Sequence, residues 1–236
     1  MKGSNIKNFP APTGKYKVVV NKGDSWRAHS IARIQISVGQ QNHTGDKLKA
    51  TLEWANNRFD KVVLIVSDTL QRHNLIAQGY DENLAYYNSK IAGLKWFDDN
   101  IQAINELGDK AVITYWDDWL KHEDFDQQHD YMKKLYKSNE QFKADIDELT
   151  DRFSSKTQDD LKPLAKTQSR IYLIEELAAF SIMYKTHGAI DIYPGDILRK
   201  TLCNLKEGVY GNSTDGFKVY TGVAIDHTRN KAFSLK

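Results

Sequence analysis

Short runs of β-branched and other apolar residues alternate along this chain with longer amphipathic segments. The clearest run, residues 62–66, is Val-Val-Leu-Ile-Val, a composition typical of a strand buried on both faces of a parallel sheet. The amphipathic segments have apolar residues three or four positions apart, which is the spacing of one helix face. Because the two patterns alternate, they predict βαβ units. Strands are predicted at 17–21, 33–38, 61–67, 110–115 and 189–193, and helices at 46–59 and 83–107.

The alternation predicts one Rossmann-like α/β domain over residues 1–236, with a doubly wound, mostly parallel sheet flanked by helices. A chain of 236 residues, 40% of them hydrophobic, is long enough for one sizeable core. We expect residues 1–15 to be flexible. Residues 208–216 are rich in Gly, Asn and Ser, and residues 219–225 are predicted to form a strand. Residues 208–236 are therefore predicted to form a C-terminal cap or hairpin.

Three features predict further helical structure. The helix at 83–107 has a long apolar stripe, interrupted by Asp98 and made of Leu84, Tyr87, Ile91, Leu94, Ile101 and Ile104. Residues 117–150 are polar and predicted to be mostly helical, with acidic residues first and lysines after them. A capping-box sequence, Ser155-Lys156-Thr157-Gln158, predicts the start of a long helix that ends at Gly188.

Composition and charge narrow the class of protein. The single cysteine, Cys203, excludes an internal disulfide, which fits the reducing cytoplasm, where we expect the protein. The first residues lead into no apolar signal region and no stretch approaches a membrane span, so no membrane partner is expected. A formal net charge of +2 does not indicate a DNA-binding protein, although a local basic face can still contact phosphates.

Ser37, at the end of an early predicted strand, is the first candidate for chemistry. Gly39 follows two residues later and lets the backbone approach a ligand, and the next residues lead into a helix whose amides favour an oxyanion. The usual alternative for such a serine is a turn or cap residue. No Gly-x-Ser-x-Gly elbow surrounds Ser37, so a serine hydrolase is not expected.

Tyr172 and Glu176 lie one helical turn apart and share a helix face. Their segment is strongly apolar and contains a second acid, Glu175, so burial is costly unless at least one carboxylate meets a partner. The alternative is that both acids lie on the wet side of an amphipathic helix. Facing a pocket, Glu176 would bind an ammonium group. Tyr193, at a predicted strand end, is either a buried aromatic or a proton donor. Ser37 and Tyr193 both end strands, where α/β sheets bind ligands.

Taken together, these residues resemble the tRNA-dependent cyclodipeptide synthases, which close two amino acids from aminoacyl-tRNAs into a diketopiperazine. The resemblance extends from about residue 18 to residue 194. It rests on Ser37-Val38-Gly39, on Tyr172 and Glu176, and on Tyr193, with supporting blocks at 52–55, 66–68 and 72–80. Gln40 and Pro194 resemble the branch of the family in which the second tyrosine precedes proline. The family's Leu-Pro-Phe continuation is Leu177-Ala178-Ala179-Phe180 here.

The resemblance implies a fold like that of the class I aminoacyl-tRNA synthetase catalytic domain and an ATP-independent aminoacyltransferase with no cofactor. It implies aminoacyl- and dipeptidyl-enzyme intermediates on Ser37, ammonium binding by Tyr172 and Glu176, and late proton transfers by Tyr193. The partners would be two aminoacyl-tRNAs, and a monomer is expected. A substrate pocket is predicted to include Gln35, Gly39, Gln40, Val66, Ala179, Asp191 and Pro194 and to suit a small or polar first side chain. Predicted tRNA contacts are Arg72, Lys90, Lys95, Lys133, Lys134 and Lys137.

Two other function classes stay open from the sequence. His43-Thr44-Gly45-Asp46 is a degenerate form of the ATP-binding His-x-Gly-His motif of class I synthetases, so an ATP-dependent aminoacyl transfer enzyme is one alternative. A non-catalytic tRNA-binding module is the other. His43 itself is interpreted as a surface histidine at a helix start. His122, Glu123, Asp124 and His129 are close in sequence but match no metal-ligand pattern, so no metal is predicted.

Overall fold

The computed structural model describes residues 9–155, 157–195 and 197–231. Within these ranges six strands form one sheet in the order β1-β6-β5-β2-β3-β4. Every neighbouring pair is parallel except β1 and β6, which confirms the predicted mostly parallel α/β sheet. The strands are β1 (Tyr16–Gly23), β2 (Ile31–Ser37), β3 (Lys61–Ser67), β4 (Ala111–Tyr115), β5 (Ile190–Pro194) and β6 (Gly222–Arg229).

Helices cover both faces of this sheet and enclose two apolar clusters. On one face, α1 and α3 pack against Ile34 and Leu64; on the other, α4 to α9 surround Val63 and Ile65. In the described ranges the helices are α1 (Gly45–Asn56), α2 (Arg72–Ile76), α3 (Glu82–Asn105), α4 (Trp116–Leu120), α5 (Phe125–Ser138), α6 (Glu140–Ser154), α7 (Lys162–His187), α8 (Arg199–Glu207) and α9 (Asp215–Lys218). None of these helices has the length and apolarity needed to cross a membrane.

The long helix α7 ends as predicted but does not begin as predicted. Its last turn stops at Gly188, which has φ +57° and provides the left-handed residue that closes a helix. Its start at Lys162, with Pro163 in the first turn, lies beyond the predicted capping box. Ser155 instead follows the end of α6, and Lys156 lies outside the described residues. The capping-box prediction is therefore wrong.

Helix α3 packs against the sheet through small and polar residues together with Trp96 and Ile104. Gly93 lies so close to Asp68 that an added Cβ would come within 2.4 Å of the aspartate Cβ. The buried face comprises Ala85, Ser89, Gly93, Trp96, Asn100 and Ile104. The opposite face exposes an apolar row that we call the outer stripe, defined as Tyr80, Leu84, Tyr87, Ile91 and Leu94. An amphipathic stripe ordinarily faces the core, and most of this one faces solvent.

The C-terminal strand β6 lies inside the sheet, between β1 and β5. Its residues pair with β5 in parallel, Asp191 opposite Gly222, and with β1 in antiparallel orientation. The predicted terminal cap or hairpin is therefore wrong for residues 222–229. Residues 1–8 and 232–236, which belong to the predicted flexible start and cap, lie outside the described residues.

Candidate active site

The carboxyl ends of β2 and β5 bring Ser37 and Tyr193 together. Ser37 is the last residue of β2, and the adjacent parallel strand β5 reaches the same edge of the sheet with Tyr193. The Ser37 Oγ atom lies 3.1 Å from the Tyr193 hydroxyl, and both side chains line one cavity. The predicted juxtaposition at the strand ends is thus present.

Side-chain alternation decides what faces this cavity. In β2, Ala32, Ile34 and Ile36 belong to the apolar cluster with α1 and α3. Side chains in a strand point alternately to opposite faces, so Gln35 and Ser37 lie on the other face, beneath α7. Both residues line the cavity.

A buried histidine holds the backbone at Ser37. After the turn at Gly39, which has φ +91°, the Nδ1 atom of His43 accepts a hydrogen bond from the Ser37 backbone N–H at 2.6 Å. Burial, with a smaller effect of His227, lowers the pKa of His43 to about 4. The imidazole is therefore neutral, with its proton on Nε2. Its ring also meets the Tyr193 ring edge-on, with 5.2 Å between centroids.

The interpretation of His43 as a surface residue is wrong, because the side chain is only 3% exposed. Trp96 on α3 donates its indole N–H to the His43 carbonyl at 2.5 Å, which anchors the turn. A histidine six residues after a strand-end serine, past a glycine turn, is the signal that could have found this contact. The sequence alone does not tell how far that turn folds back.

Helix α7 brings Glu176 to the same cavity, where Gln35 is its hydrogen-bond partner. The Gln35 side-chain N–H₂ donates to Glu176 Oε1 at 3.0 Å and to Ser67 Oγ at 3.2 Å. Burial is the main cause that raises the pKa of Glu176 to about 8, and the neighbouring charge of Glu175 adds to it. The carboxyl group is consequently protonated at neutral pH when no ligand is bound.

Tyr172, one turn before Glu176, also lines the cavity. Its hydroxyl accepts a hydrogen bond from the Gln71 side chain at 3.4 Å. Burial raises the pKa of Tyr172 well above its usual value, and it raises the pKa of Tyr193 as well. Both phenols therefore stay protonated and act as hydrogen-bond donors or relays, not as phenolates.

Glu175 has the opposite electrostatic environment. Its carboxylate binds both guanidinium N–H₂ groups of Arg72, and it accepts from Trp116 Nε1 at 2.8 Å and His73 Nε2 at 3.2 Å. Burial opposes ionisation, but the hydrogen bonds from His73 and Arg72 outweigh it and lower the pKa of Glu175 to about 2. The expectation that an acid in this apolar segment meets a partner is correct for Glu175 and for Glu176. The wet-side alternative is wrong, since both are buried.

The cavity has a volume of about 610 Å³ and continues from Ser37 along β5 and β6 to α8. Of the predicted pocket residues, Gln35, Gln40, Asp191 and Pro194 line it. Asp191 faces the cavity side, and its carboxylate accepts from Arg33 Nε at 2.6 Å. Burial raises the pKa of Asp191.

Gly39, Val66 and Ala179 do not line the cavity. Val66 faces the cluster with α1 and α3, because strand alternation turns it away from Ser67. Ala179 is fully buried in the cluster on the α7 face, and Phe180 reaches the cavity in its place. Gly39 supplies the turn and contributes no surface. These three pocket predictions are wrong in their placement.

Most of the basic residues predicted to contact tRNA are already paired with carboxylates. Arg72 binds the buried Glu175, and Lys90 lies 2.6 Å from Asp117, which also accepts hydrogen bonds from Thr69 and Tyr86. Lys95 pairs with Asp99, and Lys133 pairs with Asp130. Lys134 and Lys137 are exposed on α5 and have no carboxylate within 4 Å in the ranges that the structure describes. Over the same ranges no group of three or more His, Cys, Asp or Glu side chains is placed to hold a metal ion.

The family model and the similar solved structures point to the same protein family. The model of the cyclodipeptide synthase family matches residues 17–181. The search of the curated proteins returned no match. The fold is similar to that of a cyclodipeptide synthase from Fluoribacter dumoffii, with a TM-score of 0.78 and 21% identity over 91% of this chain and 99% of that one.

Two further structures share the fold at lower identity. A Mycobacterium tuberculosis protein, described as demonstrating that cyclodipeptide synthetases are related to type I tRNA synthetases, has a TM-score of 0.70 and 16% identity over 96% of this chain and 99% of its own. AlbC, a cyclodipeptide synthase from Streptomyces noursei, has a TM-score of 0.64 and 14% identity over 87% and 98%. The predicted relation to the class I synthetase fold agrees with these similarities.

Proposed function

This chain belongs to the cyclodipeptide synthase family, and from that membership we propose that it joins the aminoacyl groups of two aminoacyl-tRNAs through ester intermediates on Ser37, without ATP. The observation that carries the proposal is the 3.1 Å contact between Ser37 Oγ and the Tyr193 hydroxyl in a cavity that also contains Glu176. We further assign the chain to the Tyr-Pro branch, on the basis of Gln40 and Pro194, and place its activity in the cytoplasm.

The first step is transfer of an aminoacyl group to Ser37. The serine oxygen attacks the ester carbonyl of the first aminoacyl-tRNA, the bond to the ribose oxygen breaks, and the ribose hydroxyl leaves with the proton. Since the ester is already activated, no nucleotide is consumed. Tyr193, held neutral by burial, donates its hydroxyl proton toward the reacting oxygens and relays the serine proton.

Glu176 supports this step by receiving the substrate's α-ammonium group. In the empty cavity the carboxyl is protonated, since its pKa is raised to about 8. An ammonium placed beside it replaces the missing counter-charge, so the pair forms with Glu176 ionised. Tyr172, on the same face of α7, completes the cradle. Because the amine must be uncharged to react, Glu176 also accepts and returns its proton.

Two further bond changes complete the product. The free amine of the aminoacyl-enzyme attacks the ester of the second aminoacyl-tRNA, which forms a peptide bond and releases the second tRNA. The amine of the resulting dipeptidyl-enzyme then attacks the ester on Ser37, closes the six-membered ring and regenerates the serine hydroxyl. Tyr193 returns the proton to Ser37 Oγ in this last step.

His43 positions the nucleophile and takes no proton from it. Its Nδ1 atom accepts from the Ser37 backbone N–H, and its ring supports Tyr193. In His43→Ala we expect Ser37 acylation to slow by about ten- to a hundredfold, because small displacements of a reacting group have costs of this size. Substrate binding should change little, whereas the melting temperature should fall, because the variant leaves a cavity and an unpaired Ser37 N–H. Acylation is therefore compared at a temperature where the variant and its control are both folded. His29→Ala, outside the cavity, is the control; equal acylation rates in both variants would contradict the assignment.

The pocket chemistry favours a small or polar first side chain. Gln35 and Asp191 line the cavity and hydrogen-bond to Glu176 and Arg33 there. A bulky apolar side chain packed against them would cover the remaining hydrogen-bonding capacity of both groups without replacing water, which disfavours it. We propose accordingly that products dominated by Phe or Leu will not form. The spectrum of cyclic dipeptides secreted by an expressing bacterium tests this point directly.

The central experiment is intact mass spectrometry after mixing the protein with charged tRNA. The wild type should gain the mass of one aminoacyl group and make cyclic dipeptide, whereas Ser37→Ala should do neither and keep its melting temperature. Ser138→Ala, an exposed serine on α5, serves as the control and should acquire the adduct. A wild type without adduct, or one that exchanges pyrophosphate with ATP in the presence of free amino acid, would contradict the scheme.

A further inference from the structure

Helix α3 has a row of apolar residues, the outer stripe, that lies outside the core of the chain. Helix α3 buries Trp96 and Ile104 together with small and polar side chains, while the five residues of the outer stripe are between 43% and 63% exposed. Single exposed apolar residues are normal in soluble proteins, but a contiguous apolar surface of several hundred Å² marks an interaction site. Four of its residues, Leu84 to Leu94, run along one side of α3 for nearly three turns, and Tyr80 lies just before the helix. A surface of this length requires a binding partner.

We propose that this partner is a second copy of the chain, and that the outer stripes of two α3 helices pack antiparallel about a two-fold axis. The spacing 80, 84, 87, 91, 94 alternates four and three residues, which is the spacing of helix-on-helix packing. A two-fold interface requires a surface that is complementary to itself. The other face of α3 already packs against the same chain, with Gly93 close against Asp68, so the outer stripe is left for a contact with a second molecule.

The outer stripe is self-complementary when the axis passes near residue 89. In that register Leu84 lies opposite Leu94 of the second copy, and Tyr87 lies opposite Ile91. Tyr80 lies opposite Asp98, the residue that interrupts the apolar pattern, so a phenol meets a carboxylate that can accept from it. Asp98 therefore has a hydrogen-bond partner, Tyr80 of the other copy, in the antiparallel arrangement.

Charges flanking the outer stripe favour the same arrangement. The acidic start of α3, Asp81 and Glu82, comes next to Lys95 of the other copy, since 82 and 95 are nearly symmetric about 89. Lys95 pairs with Asp99 in its own helix but stays 72% exposed, so it can also contact Glu82 of the other copy. Antiparallel helices also place opposite ends of their dipoles together. The formal net charge of +2 per chain gives little repulsion between copies.

The area is sufficient for a specific interface. Five large side chains, each about half exposed, present on the order of 500 Å² per copy, or about 1,000 Å² for two copies before neighbouring residues are added. Specific interfaces begin at about 1,000 Å² of total buried surface. The expected monomer is replaced by this proposal.

Sedimentation velocity on the full chain tests the proposal. The wild type should sediment with the mass of two chains at micromolar concentration, and Leu94→Glu should sediment as one chain with an unchanged circular dichroism spectrum. Val219→Glu is the matched control, because Val219 is as exposed as Leu94, at 54%, and lies outside α3. A wild type that remains a single chain, or a Leu94→Glu variant that remains a dimer, would overturn the proposal.

A complementation experiment tests the register. Tyr87→Glu and Ile91→Lys should each give single chains, and their equimolar mixture should recover dimers, because each heterodimer then has one Glu–Lys contact and one native contact. A mixture that stays monomeric overturns the antiparallel register. Loss of tRNA or vesicle binding in Leu94→Glu, with a wild type that sediments as one chain, would assign the outer stripe to RNA or lipid and overturn the dimer.

Discussion

The two longest helices of the described structure, α7 and α3, use their faces in opposite ways. Helix α7, 26 residues long, is buried from Leu173 to Tyr184 and directs Glu175 and Glu176 inward. Helix α3, 24 residues long, buries Trp96 and Ile104 together with small and polar residues, and it directs the outer stripe toward solvent. Buried carboxylates on α7 indicate chemistry, and exposed apolar residues on α3 indicate association. Periodicity detects both helices but does not tell which face is covered.

The largest contrast should appear in stability. Leu177 on α7 is fully buried, so Leu177→Ala should lower the free energy of unfolding by about 2–5 kcal/mol through lost contacts and a cavity. Leu94→Ala on α3 should change it by less than about 0.5 kcal/mol, because the side chain is exposed within one chain. Urea denaturation at a concentration where the chain is monomeric measures both. A similar loss of unfolding free energy in both variants would show that Leu94 is as important for the folded chain as Leu177, which contradicts the difference between the two helices.

The next effect concerns activity. Glu176→Gln keeps the shape of the side chain and removes its charge, so we expect at least a hundredfold loss of cyclic dipeptide formation, which corresponds to about 2.7 kcal/mol in the barrier. The exposed Glu140→Gln at the start of α6 should leave the rate unchanged. Rates come from mass spectrometry of the product. A loss below about tenfold, or ~1.4 kcal/mol, is incompatible with an ammonium-binding role.

A pH series separates the two adjacent glutamates of α7. Because folding raises the pKa of Glu176 from 4.5 to about 8, the folded state holds a proton that the unfolded state has lost, and stability falls as pH rises through this range. Glu175 has its pKa lowered to about 2, so its contribution is complete above 4.5 and is lost only as pH falls toward 2.

Glu176→Gln should therefore gain stability relative to the wild type between pH 5 and pH 8, by an amount on the order of a few kcal/mol. Histidine titrations in this range affect both proteins equally and cancel in the difference. Thermal or urea unfolding at several pH values measures it. A difference that stays constant across the range would show that Glu176 is ionised in the empty cavity.

The smallest expected effect is in the salt dependence of tRNA binding, which tells whether the RNA contacts α5 or α3. Lys134→Glu with Lys137→Glu on α5 should flatten the dependence of log K on log salt for tRNA binding by about two. Lys95→Glu on α3 should leave the slope unchanged, since the proposed second copy covers that side. Lys90 is unsuitable for this test, because its reversal would leave the buried Asp117 without its cation. A flatter slope for Lys95→Glu alone would put the RNA on α3.

The local part of the fold was predictable from the sequence. The β-branched run of β3 was predicted at residues 61–67, the bounds that the structure has, because a strand buried on both faces leaves a continuous apolar signal. The meeting of Ser37 and Tyr193 followed from parallel topology, since parallel strands end at a common edge. Both inferences needed only local pattern and a general rule of sheet construction.

The remaining features depend on packing between distant segments. Nothing local in β6 shows that it lies between β1 and β5, and the outward face of α3 depends on the close approach at Gly93. His43 was misplaced because its burial depends on Trp96, 53 residues later. Ala179 is one position from Phe180, which reaches the cavity, and Val66 is one position from Ser67, which hydrogen-bonds the cavity residue Gln35. Neighbouring positions in a strand or helix face different surroundings.

The central position of β6 sets the order in which this chain completes its fold during synthesis. Asp226 pairs with Val19, more than 200 residues earlier, so β1 has no sheet partner until the ribosome has made β6. Until then β5 presents an open edge, which is a surface for unwanted strand pairing. Contacts between distant segments also slow folding, because the long loop must close before they form. The cavity is therefore completed late, because Gly222, Val223 and Ala224 of β6 line it. Nascent chains that stall before residue 222 should depend on chaperones to remain folding-competent.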